Sequence, residues 1–267
     1  MTRRLLALTL FAFSAFGLTP PPYQRVLVPL HVPAIDGANG SRWTTELWVV
    51  NASSEAAPVA AVPCIVASNL IHCEPVVTVP PNRTVAIPAL GTADKPGVLL
   101  HIPTPSASQM SFTLTARDLS KQSESWGVEV PVVRMHDFFT GPIHLTAIPF
   151  TSEYRLTLRI YALLENRETV QYRVKLYGIG PTEDELLREE TIALHRPPPP
   201  PPNRTGAEIS QRTLTGIFAL DAPRPSRVRI SIEPVTDPLA FVEPIPYWAF
   251  ATVTNNTTQQ VTTVIPR

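Results

Sequence analysis

Short apolar runs alternate with clusters of turn residues along the chain, and the clearest run is residues 43–50, WTTELWVV. It follows the turn-rich segment DGANG and precedes NASS. An apolar, β-branched run between turn residues predicts a β-strand. Leu47 and Val49 alternate onto one face of this strand, while Trp48 and Val50 stand on the other. Because both faces are apolar, we expect the strand to lie centrally in a sheet or against a neighbouring domain.

Comparable runs recur at intervals of about ten residues, a spacing typical of β-sandwiches. No stretch shows the 3.6-residue period of an amphipathic helix, so the predicted fold class is all-β. The chain contains 31 prolines and 11 glycines, which suits strand edges and loops and argues against long helices. Pro29 would limit the first strand to an edge or a bulge. In the first half we predict strands at residues 25–32, 43–50, 59–67, 70–79, 83–89, 97–102, 109–117 and 126–133.

The second half contains the most regular alternation, in residues 154–162 and 170–176. Apolar and polar residues alternate through both segments, which predicts a half-buried hairpin with one wet face. The wet face of its first strand would carry Arg155, Thr157, Arg159 and Tyr161.

Two further segments of the second half have unusual compositions. The charged run at residues 183–190, EDELLREE, would begin with a turn of helix. Six prolines at residues 197–202 predict a stiff polyproline II loop. Recognition of this loop by profilin-like or SH3-like domains is the alternative.

The second half repeats the plan of the first. Placing Trp43 on Tyr154 aligns the apolar positions of the two strands without a gap. Both halves also close with a hairpin, FTLTARD to GVEVPVV and WAFATVTNN to VTTVIP. This internal repeat predicts two β-sandwich domains, at residues 26–133 and 134–267. Two motifs recur as well, PPNRT at residues 80–84 and 201–205, and V-x-V-P at residues 26–29 and 128–131.

The N-terminus predicts export. Residues 1–17 combine two arginines with an apolar run that ends in small residues, the pattern of a signal peptide. The run is short for a membrane span, although a retained anchor is the alternative. A proline-rich leader follows at residues 18–25. Loss of Arg3 and Arg4 from the 22 basic residues leaves 20 against 22 acidic ones, and no basic patch points to nucleic acid. We therefore expect a secreted, periplasmic or cell-surface protein without a transmembrane segment after signal removal.

The two cysteines suggest a disulfide. Cys64 and Cys73 flank IVASNLIH, in which Ser68 and Asn69 predict a turn between two short strands. Exported proteins fold where disulfides persist, so we interpret the pair as a cross-strand disulfide. Two unpaired buried thiols are the alternative. A zinc site would need two further ligands, and no His-x-x-His motif stands nearby.

The sequence carries no catalytic motif. The six histidines are scattered, and it contains no nucleophile elbow, zinc-protease motif or phosphate loop. His136 stands beside Asp137, but adjacent strand residues point to opposite faces. Asp36 is interpreted as a turn residue, with a calcium loop shared with Asn39 and Gly40 as the alternative. We predict no enzyme activity, no cofactor and no metal site.

Tryptophans are better candidates for a functional site. Trp48 lies opposite the Leu47 face, and Trp126 lies on the strand proposed to link the two domains. An exposed indole at either position would stack on a sugar ring or anchor a protein partner. A buried core role is the alternative, which the apolar neighbours of Trp48 favour. Trp43 and Trp248 are predicted to belong to the core.

Two segments carry a resemblance to a family: GANGSRWTTELWVVN, residues 37–51, and the closing FTLTARD…GVEVP. They resemble uncharacterised secreted bacterial tandem immunoglobulin-like β-sandwich proteins. The resemblance implies two tandem immunoglobulin-like antiparallel β-sandwich domains and carries no active site.

We therefore expect a non-enzymatic exported protein that binds a protein or polysaccharide at the cell envelope, or assists assembly there. Two alternatives are a carbohydrate-binding accessory module of a secreted hydrolase system and a pilus-type periplasmic chaperone. The chaperone would need a paired Arg and Lys in the cleft between the domains, and Arg134 is the one cation near the predicted junction.

Overall fold

The structure is a computed structural model that describes residues 23–37, 40–61, 64–67, 70–121, 127–164, 167–198, 204–205, 209–216, 225–235 and 243–266. Strands hold 60% of the described residues and helices 5%. The fold class is therefore all-β with several antiparallel sheets, as the sequence predicts. Within these ranges, no helix is long and apolar enough to cross a membrane. The predicted signal peptide, residues 1–17, lies outside them.

The first half contains strands β1 (Tyr23–Val28), β2 (Ile35–Asp36), β3 (Arg42–Asn51), β4 (Ala57–Ala61), β5 (Cys64–Ala67), β6 (Leu70–His72), β7 (Pro75–Val79), β8 (Arg83–Ile87), β9 (Val98–Pro103), β10 (Met110–Asp118), β11 (Val128–Val130) and β12 (Val133–Arg134). The second half contains β13 (Ile143–Pro149), β14 (Tyr154–Ala162), β15 (Thr169–Gly178), β16 (Glu185–His195), β17 (Arg204–Thr205), β18 (Ser210–Thr215), β19 (Arg227–Pro234), β20 (Tyr247–Asn255) and β21 (Val261–Val264). Short helical turns are α1 (Thr104–Ala107) and two 3-10 helices, Leu119–Lys121 and Met135–Asp137.

Each half builds two antiparallel sheets of its own. In the first half, one sheet has the order β12-β1-β9-β4-β7, and in the other β3 lies between β10 and β8, with β11 beyond β10. The short β2 pairs with the start of β3. In the second half the orders are β13-β19-β15-β16 and β18-β14-β20-β21. A small fifth sheet, β17-β5-β6, joins a strand of the second half to two of the first.

The strand pairing of the first half recurs in the second half. In chain order, β1, β3, β4, β7, β8, β9, β10 and β11 correspond to β13, β14, β15, β16, β18, β19, β20 and β21. The order β1-β9-β4-β7 becomes β13-β19-β15-β16, and β8-β3-β10-β11 becomes β18-β14-β20-β21. This match places β3 on β14, as does the ungapped alignment of Trp43 with Tyr154. The internal repeat inferred from the sequence therefore extends to the topology.

Some details of the predicted repeat are wrong. The V-x-V-P motifs lie in non-equivalent strands, because β1 corresponds to β13 whereas β11 corresponds to β21. The boundary predicted after Val133 falls inside β12, which pairs with β1. The division into two separate domains stays a prediction. Pro29 follows the end of β1 and does not interrupt it, so β1 lies between β9 and β12 rather than at an edge.

The hairpin predicted from residues 154–162 and 170–176 is wrong. β14 pairs with β18 and β20, whereas β15 pairs with β16 and β19 in the other sheet. The alternation itself is correct in β15, where Val170, Tyr172 and Val174 are buried and the residues between them are exposed. Alternation shows that a strand has one dry face, but it does not identify the strand that pairs with it.

Cross-strand pairing also explains the charged run. β16 begins at Glu185, so the predicted turn of helix is wrong. Arg173 of β15 lies 3.1 Å from Glu189 of β16, and Arg229 of β19 lies 2.7 Å from Asp184. Because opposite charges on neighbouring strands attract, the acidic β16 is suited to pairing with β15, which carries Arg173. The polyproline loop at residues 197–202 lies largely outside the described residues.

Two clusters of buried apolar side chains form the core. One lies in the first half and includes Leu47, Leu100 and Leu114, and the other lies in the second half. Three aromatic side chains of the second half, Tyr161, Trp248 and Phe250, belong to the first cluster. The halves therefore share a dry contact.

A glycine allows this contact between the halves to be close. The Tyr161 hydroxyl donates a hydrogen bond to the Pro29 carbonyl. The Gly97 amide donates to Gln211 Oε1 at 2.8 Å, and Gln211 Nε2 donates back to the Gly97 carbonyl at 3.2 Å. A Cβ atom on Gly97 would lie 2.5 Å from the Tyr161 ring. A side chain at position 97 would thus force the halves apart or distort one of them.

Candidate functional site

Trp48 lies on the outward face of β3 and is 43% exposed. β3 is an inner strand, as predicted, because β10 and β8 flank it. The core role favoured for Trp48 is nevertheless wrong, since its face of the sheet is open to solvent at this position. Val50, two residues further along the same face, is 37% exposed. Leu47 and Val49 on the opposite face are completely buried, as expected.

The surface around Trp48 is built mostly from small side chains, and we call it the Trp48 face. It comprises the outward residues of three strands: Glu46, Trp48 and Val50 of β3, Thr84 and Ala86 of β8, and Ser111, Thr113, Thr115 and Arg117 of β10. Thr113 and Ala86 stand directly opposite Trp48, at the roughly 5 Å spacing of cross-strand neighbours. Glu46 and Arg117 form an ion pair at one end. Trp48 and Val50 are therefore the large exposed apolar side chains of a surface that is otherwise rich in hydroxyl groups.

The other three tryptophans differ in their surroundings. Trp248 is 4% exposed, which confirms its predicted core role. Trp43 is only partly buried, and its Nε1 donates a hydrogen bond to Ser41 Oγ at 3.0 Å. Trp126 lies outside the described residues, so its predicted binding role stays a prediction.

The cysteine hairpin has the predicted strand pairing, with Ile65 opposite His72. The longer strands predicted around it are each divided in two, because β4 and β7 pair in another sheet. Cys73 is buried, and its sulfur lies 3.5 Å from Nδ1 of His101. The side chain of Cys64 lies outside the described part of the structure, so the Cys64–Cys73 disulfide stays a prediction.

The described histidines do not form a catalytic constellation with the acids. His31 and His101 are buried in the first half, and burial lowers the pKa of each, that of His101 to about 4 with a smaller contribution from the charge of Arg25. His136 and Asp137 do contact each other, at 3.6 Å, because they lie in a 3-10 turn rather than a strand. Both side chains are well exposed. Within the described ranges, no group of three His, Cys, Asp or Glu residues is arranged to hold a metal ion.

A cleft of about 720 Å³ lies between the two halves, and the sequence did not predict it. The first half contributes a mainly apolar wall from β2, β3, β10, β11 and the segment after β1. The second half contributes the outward face of β14 and β20. Side chains of the first wall include Leu30, Val32, Ile35, Trp43, Val128 and Val130, and those of the second include Arg155, Thr157, Arg159, Thr252 and Thr254. A cavity of this size, with one mainly apolar wall and one polar wall, is suited to a small molecule.

Two arginines give the second wall its charge. Arg159 donates from Nη1 to Thr252 Oγ1 at 3.2 Å, and its guanidinium carbon lies 5.6 Å from the centre of the Phe250 ring. Its Nε is buried without an acceptor among the described residues. Burial lowers the pKa of Arg159, an effect that the nearby Tyr161 partly offsets. Arg155 donates to Gln259 Oε1 at 2.8 Å.

The sequence contains one signal for this wall. The alternation of Arg155, Thr157, Arg159 and Tyr161 predicts a wet face, and all of these residues except Tyr161 line the cleft. Tyr161 is only 1% exposed, because the same face packs against the first half further along β14. The period of a strand cannot indicate which distant surface covers it.

Comparison with known proteins gives no further guide to this site. No protein-family model matches the chain, and no match is found among curated proteins or solved structures.

Proposed function

We propose that this chain is a non-enzymatic exported protein whose recognition surface is the Trp48 face. The observation that carries the proposal is the 43% exposure of Trp48 on an inner strand of its sheet. Indole side chains are enriched among residues that dominate binding energies, because they bury a large area with few rotatable bonds. Ala86 and Thr113, the cross-strand neighbours of Trp48, have small side chains that do not cover the indole. The expected partner is a protein or polysaccharide of the cell envelope.

A carbohydrate-binding accessory module is the second candidate. One observation favours it: hydroxyl side chains, including Thr84, Ser111 and Thr113, surround the exposed indole. A sugar ring stacks on an indole face while its own hydroxyls bond to such groups. The pilus-type chaperone gains no comparable support, because Arg134 is engaged with Gln24 Oε1 and with the Met110 carbonyl.

We further propose that the protein is exported and that each half is a variant of the immunoglobulin-like sandwich. The N-terminal sequence supports export. For the fold, support comes from the inner strands: the second repeated strand pairs with the fifth and the third with the sixth, as B pairs with E and C with F in immunoglobulin domains. The first and seventh strands depart from that scheme, since β1 pairs with β9 and β10 pairs with β3.

The test is a binding survey with the mature chain, residues 18–267, against insoluble polysaccharides and purified envelope components. Trp48→Ala should weaken binding at least tenfold, in the range of an interface residue with a large energetic effect. Leu186→Ala is the matched control, because Leu186 is similarly exposed, at 49%, on β16 of the second half. Co-sedimentation and calorimetry should be used rather than fluorescence, since the variant removes the reporter. Equal binding by wild type and Trp48→Ala would refute the proposed surface.

A further inference from the structure

The cleft between the halves combines two walls of opposite character. Leu30, Val32 and Val130 contribute to an apolar wall, and Trp43 adds an indole. Arg155 and Arg159 project from the facing wall of the second half. The strands that carry these walls belong to different sheets, so the combination exists only where the halves meet.

The charge of Arg159 is incompletely compensated by the residues that the structure describes. Its described partners are a neutral hydroxyl, Thr252 Oγ1, and the face of Phe250. No carboxylate forms an ion pair with Arg159 or Arg155 in the part of the chain described. A partly buried guanidinium without an anionic partner is unfavourable, because lost hydration is not replaced. An anion entering the cleft would supply the missing counter-charge, because the side chain of Arg159 lines the cleft.

The acidic residue that lines the cleft does not cancel the positive charge of the two arginines. Asp36 is the one acid among the cleft-lining residues, and it is exposed on the short β2 strand. Threonine hydroxyls of β14 and β20 supply further hydrogen-bond donors around the arginines. The local charge of the lining side chains is therefore one positive unit, two arginines against one aspartate.

We propose that this cleft binds a small amphipathic anion, with its acidic head on Arg159 and its apolar body against Leu30, Trp43 and Val128. The site is independent of the Trp48 face, because Trp48 does not line the cleft. Arg155 assists as a second cation at the start of β14. A volume of about 720 Å³ accommodates an alkyl chain of moderate length together with its head group.

The test uses decanoate as the anionic probe, with 1-decanol and decyltrimethylammonium as neutral and cationic probes of equal chain length. Calorimetry with the mature chain should show decanoate binding at least tenfold more tightly than either control probe. Arg159→Gln should reduce decanoate affinity tenfold or more and leave decanol affinity unchanged, whereas Arg159→Lys should retain part of the preference. Arg155→Gln should cause a smaller loss.

Control variants distinguish specific binding of the anion from non-specific binding of the alkyl chain to an apolar surface. Arg83→Gln removes an exposed arginine on β8 outside the cleft and should leave decanoate affinity unchanged. Decanoate should also quench the fluorescence of Trp43, and this quenching should persist in Trp48→Ala. Equal affinity for decanoate and decanol, no decanoate binding up to millimolar concentration, or unchanged affinity in both Arg159→Gln and Arg155→Gln would overturn the proposal.

Discussion

The outward faces of β3 and β14 occupy the same place in two copies of one strand plan, yet they meet different surroundings. In the ungapped alignment of the two strands, Trp48 corresponds to Arg159 and Val50 to Tyr161. Trp48 and Val50 are 43% and 37% exposed. Tyr161 is 1% exposed against the first half, and Arg159 faces the cleft.

The inward faces of the same two strands are alike. Leu47 and its counterpart Leu158 are both completely buried, as are Val49 and Ile160. The sandwich requires apolar inward residues in both copies, because two sheets must pack against each other. It places no such demand on the outward face. That face is free to take a different role in each copy, a contact between halves in one and an exposed indole in the other.

The largest expected difference in stability is between alanine substitutions at the equivalent outward residues Tyr161 and Val50. Tyr161→Ala should lower the free energy of unfolding by about 3–5 kcal/mol, because it leaves a cavity where the halves meet and removes the hydrogen bond to Pro29. Val50→Ala, the equivalent change in the first half, should cost no more than about 0.5 kcal/mol, since Val50 is exposed. Urea denaturation measures both.

Tyr161→Phe separates the two contributions within this comparison. It keeps the ring and removes the hydroxyl, so it should cost about 1 kcal/mol. Similar losses in Tyr161→Ala and Val50→Ala would mean that the outward face of β14 contributes no more to stability than the solvent-exposed face of β3.

The same comparison marks how far the sequence could predict the structure. Alternation in residues 43–50 and 154–162 correctly predicted two strands and their inward faces, because neighbouring side chains on a strand point to opposite sides. It misassigned both outward faces: Trp48 was expected in the core and is exposed, and Tyr161 was expected to be wet and is buried.

The environment of these outward faces depends on contacts between residues far apart in the chain, which the sequence pattern does not predict. The surface that covers Tyr161 comes from Pro29 and Gly97, more than sixty residues away along the chain. No local pattern contains that information. The local pattern of β3 was enough to identify Trp48 as a candidate binding residue. It could not predict the cleft, because residues from both halves form its walls.

Buried titratable groups provide a second contrast between the halves. The first half buries His31 and His101. The second half buries Tyr172 and Tyr247, and burial raises the pKa of each above the usual value for tyrosine. His101 has its pKa lowered to about 4 from 6.5, chiefly by burial. Because the unfolded chain binds a proton near pH 6.5 and the folded chain does not, stability falls as pH drops below 6.5, until the folded form is protonated near pH 4.

The expected loss from His101 alone is about 2 kcal/mol between pH 7 and pH 5. Urea denaturation across this range should show a steeper decline for wild type than for His101→Gln. Aspartates and glutamates titrate mainly below this window, so their contribution is small there. Parallel pH profiles for the two proteins would show that His101 takes up its proton equally well in the folded and unfolded states.

The smallest effect on stability is expected at the matched pair Trp48 and Arg159. Trp48→Met should change the free energy of unfolding by about 0.5 kcal/mol or less, because the indole is largely in water. Arg159→Met should be neutral or stabilising by up to about 1 kcal/mol, since it replaces an uncompensated guanidinium with an apolar chain of similar length. A loss above about 2 kcal/mol would mean that the Thr252 and Phe250 contacts are sufficient for that charge.

Binding measurements should distinguish these two variants even though their stabilities are similar. Trp48→Met should lose the envelope partner and keep decanoate, and Arg159→Met should do the reverse. Residues at equivalent positions on two copies of one strand would then serve two different ligands, because each outward face is constrained by the surface it meets and not by the sandwich that carries it.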